Sequence, residues 1–223
     1  MSKYEVVLWD FDGTLAYTSA DVWTSLIYAA GQCNGALPVA YMEDDSNLGK
    51  SVKEIFREIT PYPGDEMFEK YDNLVTVHYR KMNEFKKTYL YPGICELLGR
   101  LNEKGVVNYI ITMKPQEALE RILRNKDWER LFDGWISPDS VSEDNLQSKG
   151  EMIAHIIEQI GCEKEDCVYI GDTWSDAAAS HENGIDCIAV LYGDGDREKL
   201  TAQNPRYCVA DVSGICEILE EGV

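Results

Sequence analysis

Short apolar runs alternating with amphipathic helical patterns predict an α/β fold, a doubly wound parallel sheet with helices on its faces. Two further observations shape that expectation. The alternation is interrupted once, from about residue 16 to 88, where only helical patterns occur. The polar residues suited to chemistry fall where strands end, which is where open α/β sheets bind ligands.

The first run, 4–9 (YEVVLW), is short and apolar and stops at Asp10. Strands buried on both faces read this way. The later runs are 106–111 (VVNYII), 134–137 (GWIS), 167–170 (CVYI), 187–190 (CIAV) and 207–210 (YCVA). Between them, 93–105 carries apolar residues at helical spacing and closes on Gly105, a residue that enters the left-handed conformation without steric cost. The stretch 115–126 opens with Pro115, which a first helical turn tolerates. The patterns at 149–161 and 175–184 also end in glycine. Within the interruption, 19–33, 50–60 and 65–85 all read as amphipathic helices, with breaks near Gly35, Pro38, Pro61, Pro63 and Gly64. They predict an α-helical insertion at 16–88, inside a core made of 1–15 and 89–223, with 91–93 (YPG) marking the return. A single larger α/β domain is the alternative.

Composition narrows the function classes. The 223 residues carry 21 Lys+Arg against 40 Asp+Glu, a formal charge of −19. Nucleic-acid binding needs a basic face, and anionic membranes attract basic segments, so neither partner is expected. A small anionic substrate stays compatible, because a bound cation reverses the local field. The seven cysteines are scattered without a C-x-x-C pair; they read as reduced residues of a cytoplasmic protein. With three histidines, none near a cysteine pair, a zinc site is not expected. The N-terminus reads directly into a strand without a signal peptide. No apolar run approaches the ~18 residues of a membrane span.

Four features stand at strand ends or helix starts. They are 10–14 (DFDGT), Thr112, Lys149 and 171–176 (GDTWSD). Each has an ordinary reading alone: D-x-D and D-G-T are common turns, Thr112 suits a helix cap, Lys149 suits solvent, and Asp172 with Asp176 suits a helix N-terminus. Together they bring Asp10, Asp12, Asp172 and Asp176 toward one sheet edge. Clustered carboxylates are costly unless a cation joins them, and an all-oxygen site suits Mg2+.

The ordered set DFDGTL, Thr112, Lys149 and GDTWSD resembles the four motifs of the haloacid dehalogenase superfamily of hydrolases. The resemblance covers essentially the whole chain. The insertion, YPG and 191–200 (LYGDGDREKL) are similar to its phosphoglycolate phosphatase-like branch. It implies a Rossmann-like core with an inserted helical cap, Mg2+ as cofactor, and hydrolysis of a phosphomonoester through an aspartyl-phosphate. On this resemblance Asp10 is the nucleophile and Asp12 the proton donor and later the base. Thr112 and Lys149 hold phosphoryl oxygens, and Lys149 also restrains Asp10. Backbone N–H groups near Phe11, Gly13 and Met113 add donors. Asp10, the backbone carbonyl of Asp12 and Asp172 hold the metal, with Asp176 behind them or as a weaker ligand. An aspartate at position 12 separates phosphatases and phosphomutases from the dehalogenases and phosphonatases of the superfamily. The chain departs from the common pattern in carrying Tyr17 where an aspartate is usual, and Thr112-Met113-Lys114 where Thr-Asn-Lys is.

In capped members the cap governs substrate choice, and 46–52 (SNLGKSV) occupies roughly the place of the specificity loop. Lys50 is therefore a candidate substrate contact, with a solvated lysine as the plain alternative. Tyr17 and Trp23 are candidates to line the cleft, with a core position as the commoner reading for aromatics at helical spacing, while Lys53, Arg57 and His78 read as exposed helix positions. The expected partner is a small phosphorylated metabolite: phosphoglycolate, a sugar phosphate, a nucleoside monophosphate or pyrophosphate. A monomer or a homodimer is expected. The alternatives are a phosphomutase of the β-phosphoglucomutase kind and a non-catalytic phosphometabolite-binding protein.

Overall fold

The computed structural model describes residues 3–60, 64–140 and 146–221. The chain divides into two compact units, Met1–Tyr17 with Tyr89–Val223, and Thr18–Thr88.

The larger unit is built on strands β1 (Val6–Trp9), β2 (Ala16–Tyr17), β3 (Tyr89–Leu90), β4 (Val107–Ile111), β5 (Gly134–Ile136), β6 (Cys167–Gly171), β7 (Asp186–Val190) and β8 (Tyr207–Val209). Six of them form one sheet in the order β5-β4-β1-β6-β7-β8, and every pairing in it is parallel. The chain leaves β1 toward β4 and β5, then returns to β6 on the other side of β1. The carboxyl end of β1 is thus the point where the winding reverses, the crevice in which such sheets bind ligands. Parallel strands buried on both faces need apolar residues at every position. Val6, Val7, Leu8 and Trp9 are all buried, as are Val168, Tyr169 and Ile170. On one face Leu8, Ile111 and Tyr169 pack with Met152, Ile153 and Ile156 of the helix Lys149–Ile160.

The predicted strands and the helices between them all occur, with ends shifted by a residue or two. One element has no counterpart in the sequence reading. Ala16 and Tyr17 pair antiparallel with Leu90 and Tyr89, and the two tyrosine rings lie 5.3 Å apart. Two residues are too few to produce a period-two pattern.

The smaller unit contains helices α1 (Ser19–Gln32), α2 (Val39–Met42), α3 (Val52–Ile59) and α4 (Asp65–Val77). Its core joins Trp23, Leu26, Ala29 and Ala30 of α1 to Ile55 and Phe56 of α3 and Tyr71 of α4. The helix expected over 65–85 is shorter than its pattern. After Val77 the backbone widens into a π turn, His78–Met82. It stops at Asn83, whose amide donates to the Asp21 carbonyl at 2.7 Å and to Ser25 Oγ at 2.9 Å. Its Oδ1 also accepts from the Phe85 N–H at 2.9 Å, and a side chain that bonds backbone locally in this way competes with helix continuation. The expected break at Pro61 and Pro63 lies outside the described residues. Among the described residues no helix is long and apolar enough to cross a membrane.

The larger unit adds α5 (Ile94–Glu103), α6 (Gln116–Asn125), α7 (Lys149–Ile160), α8 (Trp174–Asn183), α9 (Arg197–Thr201) and α10 (Val212–Cys216).

Candidate active site

Strand register brings the first two features together. Trp9 lies opposite Ile110 of β4 and Ile170 of β6. Asp10 is therefore level with Ile111 and Gly171, and its N–H still joins the ladder, donating to the Ile170 carbonyl at 2.9 Å. Thr112 and Asp172 follow one residue beyond, on either side. The chain then turns sharply at Gly13, which holds φ +75°, a conformation that disfavours side chains. A Cβ there would also lie 2.4 Å from Asp172 Oδ2, so the turn and the neighbouring carboxylate both require glycine.

Lys149, the first residue of α7, reaches across the sheet edge. Ser148 caps this helix in a reciprocal pair with Glu151, which fixes where the helix begins and so where the lysine starts. Lys149 Nζ lies 3.0 Å from Asp10 Oδ2 and 2.5 Å from Asp176 Oδ1. Asp176 has two duties. Its Oδ2 accepts from the Thr173 N–H at 2.9 Å and from Thr173 Oγ1 at 2.6 Å, closing the capping box of α8, while its Oδ1 holds the lysine. The helix-start reading of this residue holds, and the same side chain also reaches Lys149 and the other two carboxylates. Gly171 is what admits it: a Cβ there would lie 2.4 Å from Asp176 Cγ.

Asp172 is held from two sides. Thr14 Oγ1 donates to its Oδ1 at 3.2 Å. The N–H groups of Asp194 and Gly195 donate to its Oδ2 at 2.9 and 3.0 Å. This loop after β7 can come so close only because a Cβ at Gly193 or Gly195, at 2.4 and 2.0 Å from Asp172 atoms, is absent. The sequence reading noted the loop as part of a resemblance but gave it no contact. Its signal was the G-x-G spacing just after a strand.

Asp10, Asp172 and Asp176 are all buried, and each offers an oxygen within 4.8 Å of the others. Lys149 balances one of these three charges. Burial, first, and then Asp176, Asp172 and Asp12 push the Asp10 carboxyl well above its ordinary range, against the pull of Lys149. Burial and Asp176 likewise raise Asp172 to about 6, opposed by Lys149 and the Gly195 N–H. Burial would lower the Lys149 ammonium, but Asp10 and Asp176 more than offset it and leave it above its usual value. Hard oxygen donors carrying surplus buried negative charge fit a small divalent cation. The donor set contains no sulfur or imidazole, so softer metals have no preferred ligand there.

Asp12 stands apart from this cluster. Its carboxylate pairs with Lys114 at 2.9 Å, and the three-carboxylate group does not include it. Lys114 appeared in the sequence reading only as the last residue of a departed motif. Its place two residues beyond a strand-end threonine was the available signal. Thr112 is buried, and its Oγ1 accepts from the Lys114 N–H at 3.1 Å. It does not cap α6, which starts at Gln116 with no side-chain cap. Met113 is half-exposed.

In the helical unit Lys50 is already engaged. It pairs with Glu58 at 2.6 Å and lies 5.3 Å from the Tyr41 ring centre. Trp23 is corrected from cleft candidate to core: it is 5% exposed and its Nε1 donates to Asp45 at 2.6 Å. His78 is not a plain exposed position, since it stacks on Tyr28 and bonds Ser25 Oγ at 3.0 Å.

The profile of the haloacid dehalogenase-like hydrolases matches residues 7–190. The chain belongs to this family. Among curated members, a 5'-nucleotidase of Pseudomonas aeruginosa is 29% identical, over 98% of this chain and 96% of that one. A pyrophosphatase, PpaX, of Halalkalibacterium halodurans is 23% identical, over 97% of each. Among solved structures, a Clostridium difficile protein assigned as a phosphatase superposes with a TM-score of 0.86 at 26% identity, over 98% of this chain and 100% of that one. The matched haloacid dehalogenase-like region begins in β1 and ends at the last residue of β7, so it spans Asp10, Lys149 and Asp172 and stops just before the Gly193–Gly195 loop.

Proposed function

We propose that this haloacid dehalogenase-like hydrolase is a Mg2+-dependent phosphatase that cleaves a small phosphomonoester through an aspartyl-phosphate on Asp10. The observation that carries the reading is Lys149 bridging Asp10 and Asp176 beside Asp172, with Asp12 two residues from Asp10 but outside that charge cluster. One carboxylate is thereby restrained for attack and another is kept separate for the proton.

In the proposed reaction Asp10 attacks phosphorus, and the bond from phosphorus to the leaving oxygen breaks. Asp12 gives that oxygen a proton. Asp12 then takes a proton from water, which attacks the phosphorus of the aspartyl-phosphate. Inorganic phosphate leaves and Asp10 is regenerated. Thr112 and Lys149 hold phosphoryl oxygens, together with N–H groups near Gly13 and Met113. Phosphoryl transfer depends mainly on such positioning and charge stabilisation. Asp10, the carbonyl of Asp12 and Asp172 would hold Mg2+, with Asp176 serving chiefly to anchor Lys149. When bound, the cation offsets carboxylate and phosphate charge, which is how so acidic a protein accepts an anion.

The unit Thr18–Thr88 is proposed as the cap that selects the substrate, in a protein of the cytoplasm. Nucleoside monophosphates are proposed first among the candidates, ahead of phosphoglycolate, sugar phosphates and pyrophosphate; the 29% identical relative that is a 5'-nucleotidase supports that order. A panel of these compounds, assayed for inorganic phosphate with Mg2+ and with chelator, tests the reading. Metal-dependent phosphate release from at least one monoester is expected. Isomer formation without phosphate release would favour a mutase, and equal activity in chelator would contradict the metal role.

A further inference from the structure

A lysine with almost no solvent contact is rare, because an ammonium leaves water only at a cost that a partner must offset. Lys114 is such a residue. Its side chain is 2% exposed, whereas that of its partner Asp12 is 37% exposed. The lysine lies in the loop between β4 and α6, fixed at its backbone by the bond from its N–H to Thr112 Oγ1. Its Nζ lies 5.9 Å from the ring centre of Phe11, a residue fully buried between the two motif aspartates. From there it meets Asp12 Oδ1 at 2.9 Å. The lysine thus closes the inner side of the carboxylate while part of that carboxylate stays at the surface. Lys149 restrains Asp10 in the same manner from the other side of β1. The two aspartates of DFDGT each carry their own lysine, one from the loop between β4 and α6 and one from the start of α7.

We propose that Lys114 is a positioning residue for Asp12, holding the carboxylate in the one orientation that delivers a proton to the leaving oxygen. The proposal rests on the phosphatase reading above. A flexible aspartate at a turn has several rotamers, and an ion pair to a buried, immobile ammonium selects one. Proton delivery matters most when the leaving group is a poor one. A structural lysine would affect all substrates alike, whereas a lysine acting through Asp12 affects them by leaving group.

The test compares phenyl phosphate with p-nitrophenyl phosphate, two esters of similar shape whose leaving groups differ in basicity. kcat/KM reports the steps up to the aspartyl-phosphate, and hydrolysis of that intermediate is common to both. For Lys114→Met, kcat/KM on phenyl phosphate is expected to fall about 100-fold, the low end of general-acid contributions, and on p-nitrophenyl phosphate by less than about tenfold. Lys114→Gln, measured alongside, serves if the Met variant does not fold. Combining Lys114→Met with Asp12→Asn should cost no more on phenyl phosphate than Asp12→Asn alone, since both changes remove one function. Equal losses on the two esters, or losses that multiply in the double variant, would overturn the proposal while leaving the phosphatase reading standing. Where the wild-type protein hydrolyses neither aryl ester, the same comparison is made between acetyl phosphate and the best alkyl monoester of the metabolite panel, whose leaving groups differ in the same sense, and no phosphate release from any of them would end both.

Discussion

Replacing Asp10 by asparagine separates the cost of the site from its chemistry. Asp10 lies within 4.8 Å of carboxylate oxygens of both Asp172 and Asp176, and 3.0 Å from Lys149. At an effective dielectric of about 20, each like-charge pair at that distance repels by roughly 3–4 kcal/mol, and the lysine pair attracts by roughly 5–6 kcal/mol. Two repulsions exceed one attraction by about 1–2 kcal/mol, before the burial of the charge is counted. The direction agrees with the carboxyl itself, which burial and its neighbours hold well above the ordinary range. A carboxyl raised in the folded state opposes folding once pH exceeds its unfolded value, so its removal favours the fold at neutral pH. In chelator, Asp10→Asn is therefore expected to melt about 3–6 °C above wild type, given about 2–4 °C per kcal/mol for a chain of this size. The same variant should lose phosphate release, and added Mg2+ should stabilise it far less than wild type. Thermal melts with and without Mg2+, beside a p-nitrophenyl phosphate assay, read all three. A melting temperature at or below wild type in chelator would refute the charge reasoning, whatever the activity.

Two other predictions concern support around the site and the fold. Gly195→Ala places a Cβ 2.0 Å from the Asp172 carbonyl, displacing the N–H groups that hold Asp172; the Mg2+ concentration for half-activation should rise at least about tenfold, as for other groups that orient metal ligands, and an unchanged Mg2+ titration would contradict that role. Glu220 is held down to about 2 by Arg100 first and Lys104 second. Its folded value is depressed, so its contribution is full above about 4.5 and fades as pH falls toward about 2. The basic partners are about two-fifths exposed, so solvent screening limits that contribution to about 1 kcal/mol. Denaturant unfolding of Glu220→Gln should show this deficit at neutral pH and converge with wild type in acid; a deficit constant with pH would rule out the ion pair as its source.

Much of the core was legible because parallel strands and their helices announce themselves by continuous apolar runs and glycine stops. Asp10, Thr112, Lys149 and Asp172 each sit at an element boundary; register brings the first two and the last together, and the capped start of α7 brings Lys149. What sequence did not convey was the pairing of side chains across the edge. That Asp176 caps its own helix and also holds Lys149 depends on the close approach that Gly171 allows. Lys114 drew no reading of its own, because nothing local marks a lysine whose burial comes from parts of the chain distant in sequence. The Gly193–Gly195 loop reaches Asp172 from 22 and 23 residues away, and the two-residue β2–β3 ribbon is below the length at which periodicity carries information. In the helical unit, spacing left Trp23 open between cleft and core and gave His78 as exposed, for a common reason. Their contacts with Asp45 and Ser25 are tertiary, while helical spacing tells only which side of a helix a residue occupies.

The central claim is that Asp10 carries the phosphoryl group. The most direct test is to react the wild-type protein with Mg2+ and a hydrolysed phosphomonoester, quench in acid, and locate the modification by peptide mass mapping. A single phosphoryl group on Asp10, absent from Asp10→Asn, is the expected result. Steady turnover with neither a phosphorylated peptide nor, after hydride reduction, the homoserine that a phosphorylated Asp10 would leave, or a phosphoryl group on any other residue, would contradict it.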